Sequence, residues 1–114
     1  MTALTVAQMA DVLDKAVAYL DQYGWLQGDF AQSDKECPAC AVGAINAAMF
    51  GTPHPLAIDG TWTETDEVAE VVVEQSGIEG FDLAAWNDIE GRTKEEVTEA
   101  LRSTAVKLRK LVAA

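Results

Sequence analysis

The spacing of apolar residues near the N-terminus restricts the fold more than any other feature of the sequence. Apolar side chains recur at helical intervals over residues 6–23, and acidic side chains occupy the opposite arc. Thr5 and Gln8 have the spacing of a capping box, and Gly24 is a typical helix stop. The pattern predicts an amphipathic helix over residues 6–23, which must pack its apolar stripe against another element.

A second segment supplies an apolar partner for that helix. The stretch "ACAVGAINAAMF" is apolar on nearly every face, which is typical of a buried helix. Pro38 suits the first position of a helix, so Cys37 is the predicted N-cap and Gly51 the predicted stop. We therefore expect a buried central helix over residues 38–50.

Three further helices are predicted toward the C-terminus. Valines lie on one side of residues 64–75 and acids on the other, which indicates a helix, although three consecutive valines leave a strand open. Asp82 can cap a short helix through "LAAWNDIE" that Gly91 would end. Thr93 and Glu96 form a second capping-box pair, which begins the last helix.

Together these patterns predict an all-α fold. We expect a compact bundle of four to five helices around a buried central helix, with a short hairpin near residues 29–37 as an option. A length of 114 residues is that of one globular domain, here residues 1–114. The first residues carry no basic region and meet Asp11 before any long apolar run, so we expect no signal peptide and a cytoplasmic location. Because no run approaches the ~18–20 apolar residues of a membrane span, we also expect no membrane span.

The charge of the chain is unevenly distributed. The formal net charge is -11, and residues 36–91 contain no Lys or Arg, which argues against direct binding of nucleic acid. Four acids of this span fall within an arc of roughly 100° on the predicted third helix; they are Asp66, Glu67, Glu70 and Glu74. We interpret them as a candidate surface for a protein with a basic face, with a merely solvated helix face as the alternative.

A Cys-x-x-Cys pair raises the alternative of thiol or metal chemistry. Cys37 and Cys40 could exchange disulfides or, with His54 and a carboxylate, hold zinc. The acidic neighbourhood, including Glu36, opposes a reactive thiolate, and a structural zinc site normally needs four good ligands. We therefore expect no cofactor and no structural metal. Because no phosphate loop, nucleophile elbow or metalloprotease helix is present either, the sequence predicts no catalytic residue and favours a non-enzymatic role.

Three stretches carry a resemblance to a known group of proteins. The segments "GWLQGDFA", "CAVGAINAA" and "AAWNDIEGRTKEEVTEAL" resemble a family of small actinobacterial and actinophage proteins of unknown function. The resemblance spans about residues 13–101. The positions that match are Gly24, Trp25, Gln27, Gly28, Cys40, Gly43, Ala44, Trp86, Asn87, Asp88, Gly91, Arg92 and Thr93. In this pattern the single cysteine corresponds to Cys40, so Cys37 is a departure from it.

The resemblance implies a bacterial or phage source and suggests a regulatory role through binding of a host protein. It also marks a second candidate surface, composed of Trp25, Gln27, Trp86, Asn87, Asp88 and Arg92. The sequence therefore presents two candidate regions, the acidic face of the third helix and this set of motif residues.

Overall fold

The chain folds as a helical bundle. A computed structural model describes residues 4–29, 31, 33, 37–53 and 63–113. These residues form five helices, which are α1 (Val6–Tyr23), α2 (Ala41–Phe50), α3 (Thr63–Gln75), α4 (Leu83–Asn87) and α5 (Lys94–Ala113). Within the described ranges no strand occurs, only isolated bridges that pair Ala39 with Trp25 and with Ala31. The prediction of an all-α fold with four to five helices is confirmed.

The two long helices begin where their capping residues predict. At α1 the Gln8 amide N–H donates to Thr5 Oγ1 over 3.1 Å, and the Thr5 amide N–H donates to Gln8 Oε1 over 2.8 Å. Thr93 and Glu96 make the same reciprocal pair before α5, with distances of 2.9 and 3.2 Å. Because each box satisfies amide donors that the helix itself leaves unpaired, it fixes the start of the helix.

The core lies where the apolar stripes of these helices meet. α1 packs against α2 and α5, while α2 also contacts α3 and α4. Ion pairs of Lys94 with Asp21 and of Arg109 with Asp11 show that α1 and α5 run antiparallel. The buried apolar side chains of α2 include Val42, Ala44 and Ile45, which makes its first half the centre of the core, as its apolar composition predicts.

The start of α2 was predicted wrongly. The helix begins at Ala41 and its N-cap is Cys40, not Cys37, because Pro38 and Ala39 belong to an extended segment. The Ala39 amide N–H donates to the Gly24 carbonyl over 3.2 Å, and the Leu26 amide N–H donates to the Ala39 carbonyl over 3.1 Å. These backbone bonds hold the segment beside residues 24–26 and delay the helix by three residues.

The third and fourth predicted helices are also present. Residues of α3 are helical in spite of the valine run, with Val68 and Val72 fully buried against the core. α4 has the predicted cap, since the Ala85 amide N–H donates to Asp82 Oδ1 over 2.8 Å, but it ends at Asn87 and not near Gly91. Residues 88–91 form a turn instead, and Gly91 adopts a φ of 87° within it.

Some predictions concern residues outside the described ranges. The hairpin suggested near residues 29–37 includes residues 34 and 35, and the candidate zinc ligands include His54; these three positions do not belong to the described part of the chain. In the part that is described, no helix has the length and apolar character needed to cross a membrane.

Candidate functional site

Residues of the first and last stretches of the sequence resemblance contact each other at Asn87. The Trp25 indole N–H donates to Asn87 Oδ1 over 2.7 Å, and the Ala41 amide N–H donates to the same oxygen over 2.9 Å. Asn87 is fully buried, at the end of α4. One side-chain oxygen therefore joins the segment after α1, the first residue of α2 and the end of α4.

The other polar atoms around Asn87 complete this cluster. Asn87 Nδ2 donates to the Leu26 carbonyl over 3.2 Å and to Asp88 Oδ1 over 3.0 Å. Gln27 Nε2 donates to the carbonyls of Asn87 and Ile89 over 3.0 and 2.9 Å. The Gly28 amide N–H donates to Asp88 Oδ1 over 3.0 Å. The segment 25–28 is thus held against residues 87–89 along its whole length.

Trp86 and Arg92 extend the cluster toward α5. The guanidinium carbon of Arg92 lies 4.0 Å from the centroid of the Trp86 ring, and Arg92 Nε donates to the Trp86 carbonyl over 3.1 Å. Arg92 also pairs with Glu96 over 3.2 Å. The six motif residues proposed as a surface, Trp25, Gln27, Trp86, Asn87, Asp88 and Arg92, therefore form one connected cluster, in which Asn87 is buried and Gln27 and Asp88 are exposed. The polar contacts described here are internal, so their physical effect is to fix three chain segments to one another.

The second candidate region, the acidic face of α3, lies on the surface. Asp66, Glu70 and Glu74 are exposed, and Glu67 is half-buried. In every ion pair among the described residues, the acidic partner belongs to α1 or α5. Within those residues no cation pairs with the acids of α3, so this helix carries an uncompensated row of carboxylates.

Comparison with known proteins places the chain in a family. Residues 4–107 match the model of a family described as "Family of unknown function (DUF6197)". The chain belongs to the DUF6197 family. The matched range includes α1 to α4, most of α5 and every residue of the motif cluster. Searches of curated proteins and of solved structures found no match to this DUF6197 chain.

Cys40 has a structural environment in this DUF6197 fold. The Gly43 amide N–H donates to Cys40 Sγ over 3.3 Å, which is the N-cap contact of α2, and the residue is 3% exposed. Burial raises the pKa of the Cys40 thiol to about 11, although the hydrogen bonds from backbone amides act in the opposite direction. At neutral pH the group is therefore a protonated thiol, which is a poor nucleophile and a poor metal ligand.

Cys37 is half-buried and separate from that cap. Its backbone is held by Tyr19, whose hydroxyl donates to the Cys37 carbonyl over 2.7 Å and accepts from the Cys37 amide N–H over 3.0 Å. Cys37 Sγ lies 3.7 Å from the Ser33 carbonyl oxygen. Both cysteines are free thiols. Among the described residues no three His, Cys, Asp or Glu side chains are grouped closely enough to hold a metal ion, and His54 is not among them.

Phe81 is a surface feature that the sequence analysis missed. The residue is 48% exposed and borders two grooves. The groove on the α3 side has a volume of about 510 Å³ and is lined by Asp66, Ala69, Glu70, Val73, Glu74, Phe81, Asp82 and Leu83. The other groove has a volume of about 600 Å³ and includes Trp86, Ile89 and Arg92 from the motif region. In the sequence, Phe81 stands between Gly80 and Asp82, and this pattern does not indicate whether the side chain is buried or exposed.

A buried polar pair in the core was also missed. Asn46 is fully buried in α2, and its Oδ1 accepts a hydrogen bond of 2.8 Å from the hydroxyl of Thr65 in α3. Asn46 Nδ2 is buried without a hydrogen-bond partner. A single Asn inside an otherwise apolar helix was the signal for such a contact, since buried polar groups are normally paired.

Proposed function

We propose that the protein is a non-enzymatic binding and regulatory module that engages another protein with a basic surface through the acidic face of α3. One observation carries the proposal: Asp66, Glu70 and Glu74 are exposed on one face of a helix, and no cation of the described residues pairs with them. Such a row attracts a complementary basic surface and accelerates its encounter with the protein.

The positions of the basic residues support this reading. Arg92, Lys94 and Arg109 pair with acids of α1 and α5. Those pairs hold helices together or support a cap, whereas the carboxylates of α3 make no ion pair or hydrogen bond among the described residues. Like charges four residues apart on a helix repel each other by a few tenths of a kcal/mol. A basic partner would reduce the repulsion between these carboxylates, and this reduction makes the free energy of association more favourable.

The proposal includes a cellular setting. On the basis of the sequence resemblance to actinobacterial and actinophage proteins, we propose that the protein acts in the cytoplasm of a bacterial or phage-infected cell and that its partner is a host protein. An acidic face is suited to occupy a basic groove of such a partner, because it offers carboxylates to side chains that otherwise bind an anion.

The test compares two variants that change the net charge equally. The first replaces three acids of α3 (Asp66→Asn, Glu70→Gln, Glu74→Gln), and the control replaces three exposed acids elsewhere that make no ion pair between helices (Glu90→Gln, Glu95→Gln, Glu99→Gln). Each variant and the native protein are used to capture partners from a bacterial lysate. The affinity of any captured protein is then measured by calorimetry at two salt concentrations.

The proposal predicts a basic partner that binds the native protein and the control but not the α3 variant, with an affinity that falls as salt rises. Equal capture by the α3 variant, or the absence of any partner with a basic surface, would show that the acidic face is only a solvated helix surface. Circular dichroism of each variant establishes that a loss of binding does not reflect unfolding.

A further inference from the structure

The exposed position of Phe81 is fixed by its neighbours in the chain. Gly80 precedes it with a φ of 81°, a conformation that residues with side chains rarely adopt. Asp82 follows it and accepts the Ala85 amide N–H over 2.8 Å as the N-cap of α4. The backbone on both sides of Phe81 therefore has a defined conformation, and this conformation places the ring at the surface.

Phe81 is also the boundary between the two grooves. On the α3 side the floor is apolar, formed by Ala69, Val73 and Leu83, and the rim is acidic. On the other side the ring faces the groove that contains Trp86 and Ile89. A large apolar side chain with open space on both faces is typical of the anchor points at which protein interfaces concentrate their binding energy.

We propose that Phe81 and the groove beside α3 form a docking site for a basic amphipathic helix of a partner protein. This inference rests on the proposed function, because it takes the acidic face as a binding surface and specifies what binds there. The apolar face of the partner helix covers Phe81 and Val73, and its Lys and Arg side chains pair with the carboxylates on the rim. The apolar floor and the acidic rim thus complement the two faces of a single helix.

The geometry of the site favours a helix over an extended segment. A peptide that binds as a β-strand gains its affinity by adding to the open edge of a sheet, and the described part of this chain has no strand that could offer one. Asp66, Glu70 and Glu74 are four residues apart, so they repeat about every 6 Å along α3. Basic residues spaced by four on a partner helix repeat with the same interval, so a helix aligned with α3 can pair with successive carboxylates.

The experiment uses two synthetic peptides of about 18 residues, long enough to form a helix. One carries Lys on one face and Leu on the other, and the second has the same composition in an order that places Lys and Leu on all faces. Binding to the full-length protein is measured by fluorescence anisotropy at physiological salt. The protein variants are Phe81→Ala, the control Phe50→Ala, which removes another exposed Phe, and Glu70→Gln with Glu74→Gln.

We expect the amphipathic peptide to bind the native protein at least about tenfold more tightly than the rearranged peptide. Phe81→Ala should weaken this binding by about tenfold, whereas Phe50→Ala should leave it unchanged. Because the Phe81 ring is exposed, its removal should not unfold the protein, which the helical circular dichroism signal verifies.

Each other outcome identifies which proposal is wrong. If the two peptides bind equally well, if Phe81→Ala binds as tightly as the native protein, or if the amphipathic peptide does not bind at micromolar concentration, the docking site is wrong. The proposed function survives the first two results as long as the Glu70→Gln, Glu74→Gln variant weakens both peptides. If that variant binds both peptides as the native protein does, the acidic face itself has no binding role.

Discussion

Replacing Asn87 with Ala tests whether the motif cluster holds the fold together. The change removes the acceptor of the Trp25 indole N–H and of the Ala41 amide N–H, and it removes the donor to the Leu26 carbonyl. A hydrogen bond contributes about 1 kcal/mol, and a partner left unpaired in a buried place costs about 1–3 kcal/mol. The change also removes the donor to Asp88 Oδ1, but Asp88 is exposed and regains water. For the three remaining partners we expect a loss of about 3–4 kcal/mol.

That loss is large for a protein of this size, because single domains are stable by only about 5–15 kcal/mol. The assay is urea unfolding followed by circular dichroism, with the free energy of unfolding obtained from the midpoint and slope. Gln27→Ala is the matched control. It also removes two hydrogen bonds from the cluster, but Gln27 is exposed, so water can replace its amide and the loss should stay below about 1 kcal/mol.

A double-mutant cycle isolates the central contact. Trp25→Phe removes the indole N–H while retaining an aromatic ring, and it is combined with Asn87→Ala. We expect a coupling of about 1 kcal/mol, so that the double variant is more stable than the sum of the two losses predicts. A loss below about 1 kcal/mol for Asn87→Ala, or a coupling of zero, would refute the view that Asn87 joins these segments.

Three further predictions concern the core and the acidic face. Thr65→Val should lower the free energy of unfolding by about 1–2 kcal/mol, since it leaves the whole Asn46 amide unpaired, and adding Asn46→Leu should recover that loss in thermal unfolding. Glu70→Gln with Glu74→Gln should raise stability by about 0.5–1 kcal/mol, because it removes two like-charge pairs, Asp66 with Glu70 and Glu70 with Glu74, and a carboxylate near the C-terminus of α3; an unchanged or lower melting temperature would contradict this. For Cys40 the folded pKa of about 11 exceeds the ordinary thiol pKa of 9.0, so the folded protein retains a proton that the unfolded chain loses between these values. Stability should therefore fall by about 2 kcal/mol as pH rises from 9 to 11, and a Cys40→Ala variant that shows the same fall in urea unfolding would rule out this thiol as the cause.

The helices were predictable because their signals are local. Thr5 with Gln8 and Thr93 with Glu96 define the starts of α1 and α5 through contacts three residues apart, which a sequence displays directly. Asp82 defines α4 in the same way. The apolar periodicity of α3 also outweighed the strand preference of its valines, because Val68 and Val72 share one buried face of a helix.

The start of α2 was not predictable from local signals. Pro38 is compatible with a first helical turn, but the Ala39 backbone pairs with Gly24 and Leu26, which are more than ten residues away in the sequence. The contacts of Asn87 with Trp25 and Ala41 span 62 and 46 residues. The resemblance identified most of these residues as a group, but their arrangement around one buried amide depends on how the helices pack.

The structure separates the residues that stabilise the fold from those that we propose for binding. The polar side-chain atoms in the motif cluster hydrogen-bond to one another and to backbone groups, as those of Asn87, Trp25 and Gln27 do. Substitutions there should therefore change the stability of the fold. Glu70 and Glu74 make no such hydrogen bond among the described residues, and their mutual repulsion slightly destabilises the folded state. If binding is the role of the acidic face, the Glu70→Gln, Glu74→Gln variant should be more stable and yet bind more weakly. A gain of stability together with a loss of affinity is the combination that a solvated, functionless face cannot produce.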